Sequence, residues 1–356
     1  MLMVALKLRR RLPRVMAGVI AIAAGCSLAM PVAAQGAVRD RQDAAAFYNG
    51  KTVRVLVGSP AGGGYDLSAR MLAPHLAKRL GATVIVENKP GSGALLALSY
   101  MLVQPRDGLL MMVASAEAAI MSELLGRDGA SWNVAKLNWL AKVSTAPKLW
   151  FVGKEGGIAT AADAIKASQV IWPATAPADN ISDIAAIISH VIGLKSKVVV
   201  GYKGAGDMSL AVMRKEADSG ILSADSALSL VQSGQITPIA VFDDRRWKHL
   251  PAVPTLAEAA PVAAGKAWMS ELRRLIGEAQ RAMVAAPEVP PDRVAYLRAV
   301  LAEILTDPAV VEEGARSGRE IDFMAGADLQ RLIVTLMGSA GARLPEFRKV
   351  VLDTYF

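Results

Sequence analysis

The 356-residue chain is poor in the residues that most often mark chemistry: one cysteine, three histidines and 5% aromatics. A single cysteine leaves no pair for a disulfide framework, so the fold must hold by burial alone. His75, His190 and His249 are far apart, and none stands at metal-ligand spacing from another. No metal site and no cofactor are therefore expected. Charged residues make up only 20% against 53% apolar, which excludes a disordered chain or a coiled coil. There is no internal repeat and no low-complexity tract. The length suits two domains, or one large one.

The formal charge of +8 invites a nucleic-acid reading, which depends on where the charges lie. The first 34 residues hold Lys7, Arg9, Arg10, Arg11 and Arg14 and no acid, followed by an uncharged run from Val15 to Ala34. Val32-Ala33-Ala34 then offers small residues where a signal peptidase cuts. This is the pattern of a secretory signal peptide over residues 1–34. An apolar run of about 20 residues is also long enough to span a bilayer. Its alanine-rich composition and small-residue end argue instead for cleavage. Arg9-Arg10-Arg11-Leu12 is similar to a twin-arginine signal, though Pro13 and Arg14 break its continuation. Ala23-Ala24-Gly25-Cys26 offers a lipoprotein alternative in which Cys26 is acylated. Without the leader the chain carries 35 basic and 32 acidic residues, a net of +3 over 322 residues. No nucleic-acid partner is expected.

Short β-branched runs alternate with helical patterns, which predicts an α/β fold in two lobes built on parallel sheets. Strands are predicted at Thr52–Val57, Thr83–Val86, Leu109–Val113, Leu149–Val152, Val170–Trp172, Val198–Val200 and Ile239–Phe242. Helices are predicted at Asp66–Leu80, Ser92–Val103, Thr160–Ser168, Ile181–Ile192, Asp207–Lys215, Ala267–Arg281, Asp292–Leu305, Pro308–Ser317 and Ala327–Gly338. Pro74 should kink or interrupt the first of these.

The strongest local signal is Gly58-Ser59-Pro60-Ala61-Gly62-Gly63-Gly64-Tyr65-Asp66, joining a strand to a helix. It lacks the Gly-Lys-Ser/Thr ending and the G-x-G-x-x-G spacing of nucleotide loops. Consecutive glycines still let N–H groups converge at a helix N-terminus, which suits a carboxylate as well as a phosphate. A tight turn with no ligand is the plainer reading. Ala174–Asn180 and Gly201–Asp207 link strands to helices in the same way. Facing each other across two lobes, such loops would hold a small anion.

Taken in order, these segments resemble the substrate-binding receptors of tripartite tricarboxylate transporters, the Bug receptors. The resemblance runs from residue 47 to the C-terminus. It rests on Phe47-Tyr48-Asn49-Gly50-Lys51-Thr52-Val53, Pro60–Asp66, Glu87-Asn88-Lys89-Pro90-Gly91-Ser92-Gly93 and Pro105-Arg106-Asp107-Gly108. Gly201-Tyr202-Lys203-Gly204, Val253–Glu258 and Ala286-Pro287-Glu288-Val289-Pro290 complete it.

It implies a type 2 periplasmic-binding-protein fold, with two α/β lobes hinged about a ligand cleft. Lobe one would comprise residues 47–145 plus 240–356, and lobe two residues 146–239. The carboxylate of an organic acid would be held largely by loop amides and ordered water. By position those amides belong to Ala61, Gly62, Gly63 and Gly64, with Tyr65 and Asp66 nearby. Ser115 and Glu117 would line the same wall, and Thr175, Ala176 and Asn180 would face them. Tyr202, Lys203 and Gly204 would close the pocket. The expected protein is a periplasmic monomer that performs no chemistry and serves large and small membrane subunits of a transporter. A sensor for a membrane signalling partner and an exported hydrolase are the alternatives. Three features depart from the family pattern: no glycine in Ala174–Pro177, Lys215-Glu216 in place of Gly-Glu, and a longer, more helical Val262–Arg281.

Overall fold

The structure is a computed structural model that describes residues 41–356 except Ser92, Gly93, Asp128, Ala178, Asn180 and Ala340. The export signal, Cys26 and Asn180 thus lie outside the described residues. The first half of the chain runs α1 (residues 41–48), β1 (Thr52–Val57), α2 (Gly64–Leu80), β2 (Thr83–Asn88), α3 (Leu95–Leu102), β3 (Leu110–Ser115), α4 (Ala116–Leu124) and β4 (Asn138–Ser144). Three residues later begins a second group: β5 (Lys148–Gly153), α5 (Ala161–Lys166), β6 (Val170–Ala174), α6 (Ser182–Ile192) and β7 (Ser196–Val200). It continues through α7 (Ala205–Met213), β8 (Ser219–Ser223), α8 (Ala224–Gln232) and β9 (Ile236–Phe242). The chain then returns through α9 (Leu256–Ala259), α10 (Ala267–Gly277), β10 (Arg281–Ala285), α11 (Pro291–Leu305) and α12 (Pro308–Arg316). It ends in β11 (Met324–Ala325), α13 (Gly326–Ser339), α14 (Leu344–Lys349) and a π-helical turn at Val350–Thr354.

Strand pairing sorts these elements. One six-stranded sheet has the order β11-β4-β10-β3-β1-β2, and the second group forms a β8-β5-β9 sheet and a β6-β7 pair. The sheets are mixed rather than wholly parallel. β1 runs parallel to β2 and β3, but β10 is antiparallel to both β3 and β4, and β5 is antiparallel to β8 and β9. β8, β9 and β10 each run against the earlier strands that they pair with, and local periodicity carries no trace of this.

Helices α2 and α11 pack on one face of the large sheet. Leu72, Leu76, Leu80, Leu297 and Leu301 are fully buried there with Val53, Val55 and Val57. On the other face one continuous apolar cluster runs from Leu56 and Met112 of the large sheet to Trp150, Trp172, Ile184 and Val241 of the second group. The chain end reaches across as well: Val198 N–H donates to Tyr355 O at 2.7 Å, and Ala263 N–H to Val191 O at 2.9 Å.

Helix α2 is unbroken through Pro74. Pro74 and Arg70 are both exposed, so the carbonyl left without an N–H partner stands on the wet face of the helix. Asp307 caps α12, its side chain accepting Ala309 N–H at 3.0 Å. The helix predicted to run to Arg281 stops at Gly277, and Arg281 instead opens β10. All five residues of β10 are buried, so no alternation marks it as a strand.

Candidate functional site

The glycine loop after β1 folds around its own acid. Asp66 is buried in the first turn of α2 and accepts Gly62 N–H at 2.8 Å, Arg70 Nε–H at 3.0 Å and Asn88 Nδ2–H at 2.9 Å. Burial pushes this carboxyl up, but the bonds from Arg70, Gly62 and Asn88 outweigh it and hold the pKa below the ordinary value. Gly62 has φ +82°, a conformation that glycine adopts without strain. Gly63 N–H turns back to Pro60 O at 3.2 Å, while Ala61 is exposed.

The loop after β6 repeats the device more completely. Asp179 is buried, and its Oδ2 accepts Thr175 N–H at 3.0 Å, Ala176 N–H at 3.2 Å and the Thr175 hydroxyl. Its Oδ1 accepts Ile181 N–H at 2.8 Å and Ser182 N–H at 2.6 Å. In the third loop Lys203 N–H donates to Asp207 Oδ2 at 3.0 Å. The two loops of the second group lie side by side, joined by Tyr202 N–H to Ala174 O at 3.2 Å and Gly201 N–H to Thr175 O at 3.3 Å. The amide of Gly62, expected to hold the ligand, and those of Thr175, Ala176 and Lys203, expected to face it or close the pocket, are therefore engaged by the protein's own carboxylates.

Between the large sheet and the second group lies a buried ionic cluster. Glu117, fully buried on α4, accepts Lys148 Nζ at 2.8 Å, Arg273 Nη2 at 3.1 Å and Gln280 Nε2 at 3.3 Å. Arg273 also reaches Asp183 of α6, Nε to Oδ2 at 2.9 Å. Burial pushes the Asp183 carboxyl up to about 6, against the pull of Arg273 and with the push of Glu117. Burial likewise pushes Lys148 down, although Glu117 opposes it. A cavity of about 30 Å³ beside this cluster is lined by Thr145, Lys148, Phe242, Arg273 and Gln280 among others, and has room for about one water rather than an organic acid.

A second buried pair stands at the start of α2. Arg281 Nη1 donates to Asp225 Oδ2 at 2.6 Å and Nη2 to Asp225 Oδ1 at 3.2 Å. The Arg281 guanidinium lies 5.2 Å from the Tyr65 ring centroid. A Cβ built on Gly64 would stand 2.8 Å from Arg281 Nη2 and 3.2 Å from Ser226 Oγ of α8. Ser115 caps α4, its Oγ accepting Ala118 N–H at 3.3 Å. The Tyr65 hydroxyl lies close to Ser115 but is buried with no well-formed hydrogen bond among the described residues. Burial pushes its pKa well up, and the negative charge of Glu117 adds to this.

A family model described as tripartite tricarboxylate transporter family receptor matches residues 68–343. The chain belongs to this receptor family. A curated relative, protein BugT of Bordetella pertussis, is 25% identical over 285 residues, covering 76% of this chain and 81% of its own. Among solved structures, R. palustris Rpa4515 with adipate aligns at TM-score 0.71 with 20% identity, over 85% of this chain and 97% of that one. MatC of Rhodopseudomonas palustris with bound malate aligns at TM-score 0.67 with 18% identity, over 85% and 99%. The receptor therefore has the two-lobe α/β fold of periplasmic binding proteins, and its family members are binding proteins rather than enzymes.

Of the residues offered by the sequence, the receptor gathers Gly64, Tyr65, Ser115 and Glu117 around Arg281, Arg273 and Lys148. It gathers Thr175, Ala176, Tyr202 and Lys203 around Asp179 and Asp207. Sequence reasoning missed Asp179, Asp225, Arg273 and Arg281. The recurring interval from Gly62 to Asp66, Thr175 to Asp179 and Lys203 to Asp207 could have revealed the loop acids. No local signal marks Arg281, since Asp225 lies 56 residues away. The histidines are dispersed: His75 meets Glu313 at 3.0 Å, His249 meets Glu320 at 2.9 Å, and His190 abuts Tyr355. Among the described residues no helix is long and apolar enough to cross a membrane.

Proposed function

We propose that this receptor captures a small organic acid between its two lobes in the periplasm and delivers it to the large and small membrane subunits of a tripartite transporter. The lobes are residues 47–145 with 240–356, and residues 146–239, with closure by hinge motion at the crossings. The strand pairing supports this division except at its edge, where Ala240, Val241 and Phe242 pair with β5 of the second group. Export would follow cleavage after Ala34.

The observation that carries the reading is the first turn of α2. A 17-residue helix begins at Gly64, against Ser226 from the other lobe. Its first N–H groups have no intrahelical acceptor, and its positive end favours an anion. The buried Ser59 hydroxyl of the preceding loop lacks a hydrogen-bond partner among the described residues, and the buried Tyr65 hydroxyl has only Ser115 close to it. Amide and hydroxyl donors at a helix N-terminus that stands against a residue of the other lobe suit a carboxylate. Adipate and malate, bound by two proteins of this fold, are both carboxylates.

The test is a thermal shift of ligand-free protein against mono-, di- and tricarboxylates. A bound acid at 100 times its Kd adds about 2.7 kcal/mol of stability and raises Tm accordingly. No shift across the series overturns the reading.

A further inference from the structure

An arginine has two edges that can grip a carboxylate: the end-on pair Nη1/Nη2 and the side-on pair Nε/Nη2. Arg281 uses the first on Asp225, with Nη1 also 3.4 Å from Ser144 Oγ. The second edge is not used. Its Nε–H is buried and has no partner among the described residues, and the side chain is only 2% exposed. That N–H points to the same side as Nη2, the nitrogen against which Gly64 presents a bare Cα. Arg281 thus keeps an unpaired, charged Nε–H beside Nη2, the nitrogen that stands against Gly64 at the N-terminus of α2, with the buried hydroxyls of Tyr65 and Ser59 in the same stretch of chain. Ser59 Oγ would lie 3.2 Å from a Cβ built on Gly63, within the same loop.

Resting on the carboxylate-receptor reading above, we propose that Arg281 is the side chain that recognises the ligand's carboxylate. It offers the Nε–Nη2 edge beside Gly64 while Asp225 holds the opposite edge. The division of labour follows from the positions of the two partners. Arg281 opens β10, in register with Ser115 of β3 and Ser144 of β4, and so belongs to the large sheet. Asp225 lies in the first turn of α8 in the second group, its Oδ1 also accepting Ser226 N–H at 2.8 Å. Bridging the two lobes, Asp225 fixes the plane of the guanidinium and brings Ser226 over the site. The partly neutralised guanidinium still has charge-assisted donors for one more carboxylate. Recognition by a planar fork selects an acid against an isosteric amide, which pairing by main-chain N–H groups does far less.

The experiment titrates the wild-type receptor, Arg281→Lys and Arg281→Met with an acid found in the thermal screen and with its carboxamide. Wild type should prefer the acid by about 30-fold or more. Arg281→Met should lose most of that preference. Arg281→Lys, which keeps the charge but not the fork, should bind the acid about 10-fold more weakly. Ligand-free melting and circular dichroism establish which variants fold. Should Arg281→Met fail to fold, Arg281→Lys and Gly64→Ala carry the test, the latter placing a methyl against Nη2 and weakening the acid by a similar factor. An acid-over-amide preference and an acid affinity that are unchanged in the folded variants overturn the proposal while leaving the receptor reading in place. A wild type that binds no acid overturns both.

Discussion

The carboxylate of Asp179 accepts the backbone N–H of Thr175, four residues before it, at 3.0 Å. Asp66 does the same for Gly62 at 2.8 Å, and Asp207 for Lys203 at 3.0 Å. Each of these three loops thus closes on an internal anion before any ligand arrives. The amides of Gly62, Thr175, Ala176 and Lys203 are taken up by these ties, which hold the shape of the loops.

Asp179→Ala strips a buried acceptor from five donors and should destabilise the protein by about 3 kcal/mol or more. Asp207→Ala removes the same interaction from an exposed loop and should cost about 0.5 kcal/mol. Urea denaturation measures both. Equal effects would show that the shared spacing, and not burial, governs these ties.

Glu117 sits between two buried cations, so Glu117→Gln should destabilise by about 3 kcal/mol by leaving Lys148 and Arg273 undercompensated. The double variant Glu117→Gln/Lys148→Met should cost less than the sum of the single changes by about 1 kcal/mol or more. Strict additivity in chemical denaturation would refute the coupling.

Asp183 predicts a pH signature of definite sign. Its native pKa of about 6 lies above its ordinary 3.8, so between those values the folded state holds the extra proton. The contribution is full below pH 3.8 and is lost as pH rises through 6, a change of about 3 kcal/mol. Stability of wild type minus Asp183→Asn, followed from pH 3 to 8 by denaturant titration, should fall across that window. A flat difference curve would remove Asp183 as the titrating group.

Asp66→Ala strips a buried acceptor from Gly62, Arg70 and Asn88, so it should destabilise the protein by about 2 kcal/mol as well as loosen the glycine loop and weaken acid binding by roughly 10-fold. Arg70→Ala removes one donor but leaves the Gly62 tie, so its affinity should stay near wild type. Calorimetric titration of both variants separates loop shape from local charge, and identical losses would mean that the Gly62 tie is irrelevant.

Most strands and helices were legible in the chain because each rests on near-neighbour physics. TVRVLV makes β1, the spacing of Leu72, Leu76 and Leu80 makes the buried face of α2, and Asp307-Pro308 starts α12. The glycine loop could be read as a strand-to-helix turn for the same reason. β10 was not legible, because a strand buried on both faces has no period to distinguish it from a helix. The direction of β10, the pairing of Arg281 with Asp225 and the meeting of Glu117 with Lys148, Arg273 and Gln280 arise only when distant segments close on one another. Sequence alone determined most of the elements and set the loop acids at one shared interval of four residues. Tertiary structure decided which charges are buried together and which donors are left for a ligand, because burial and long-range pairing belong to the assembled fold and not to any stretch of chain.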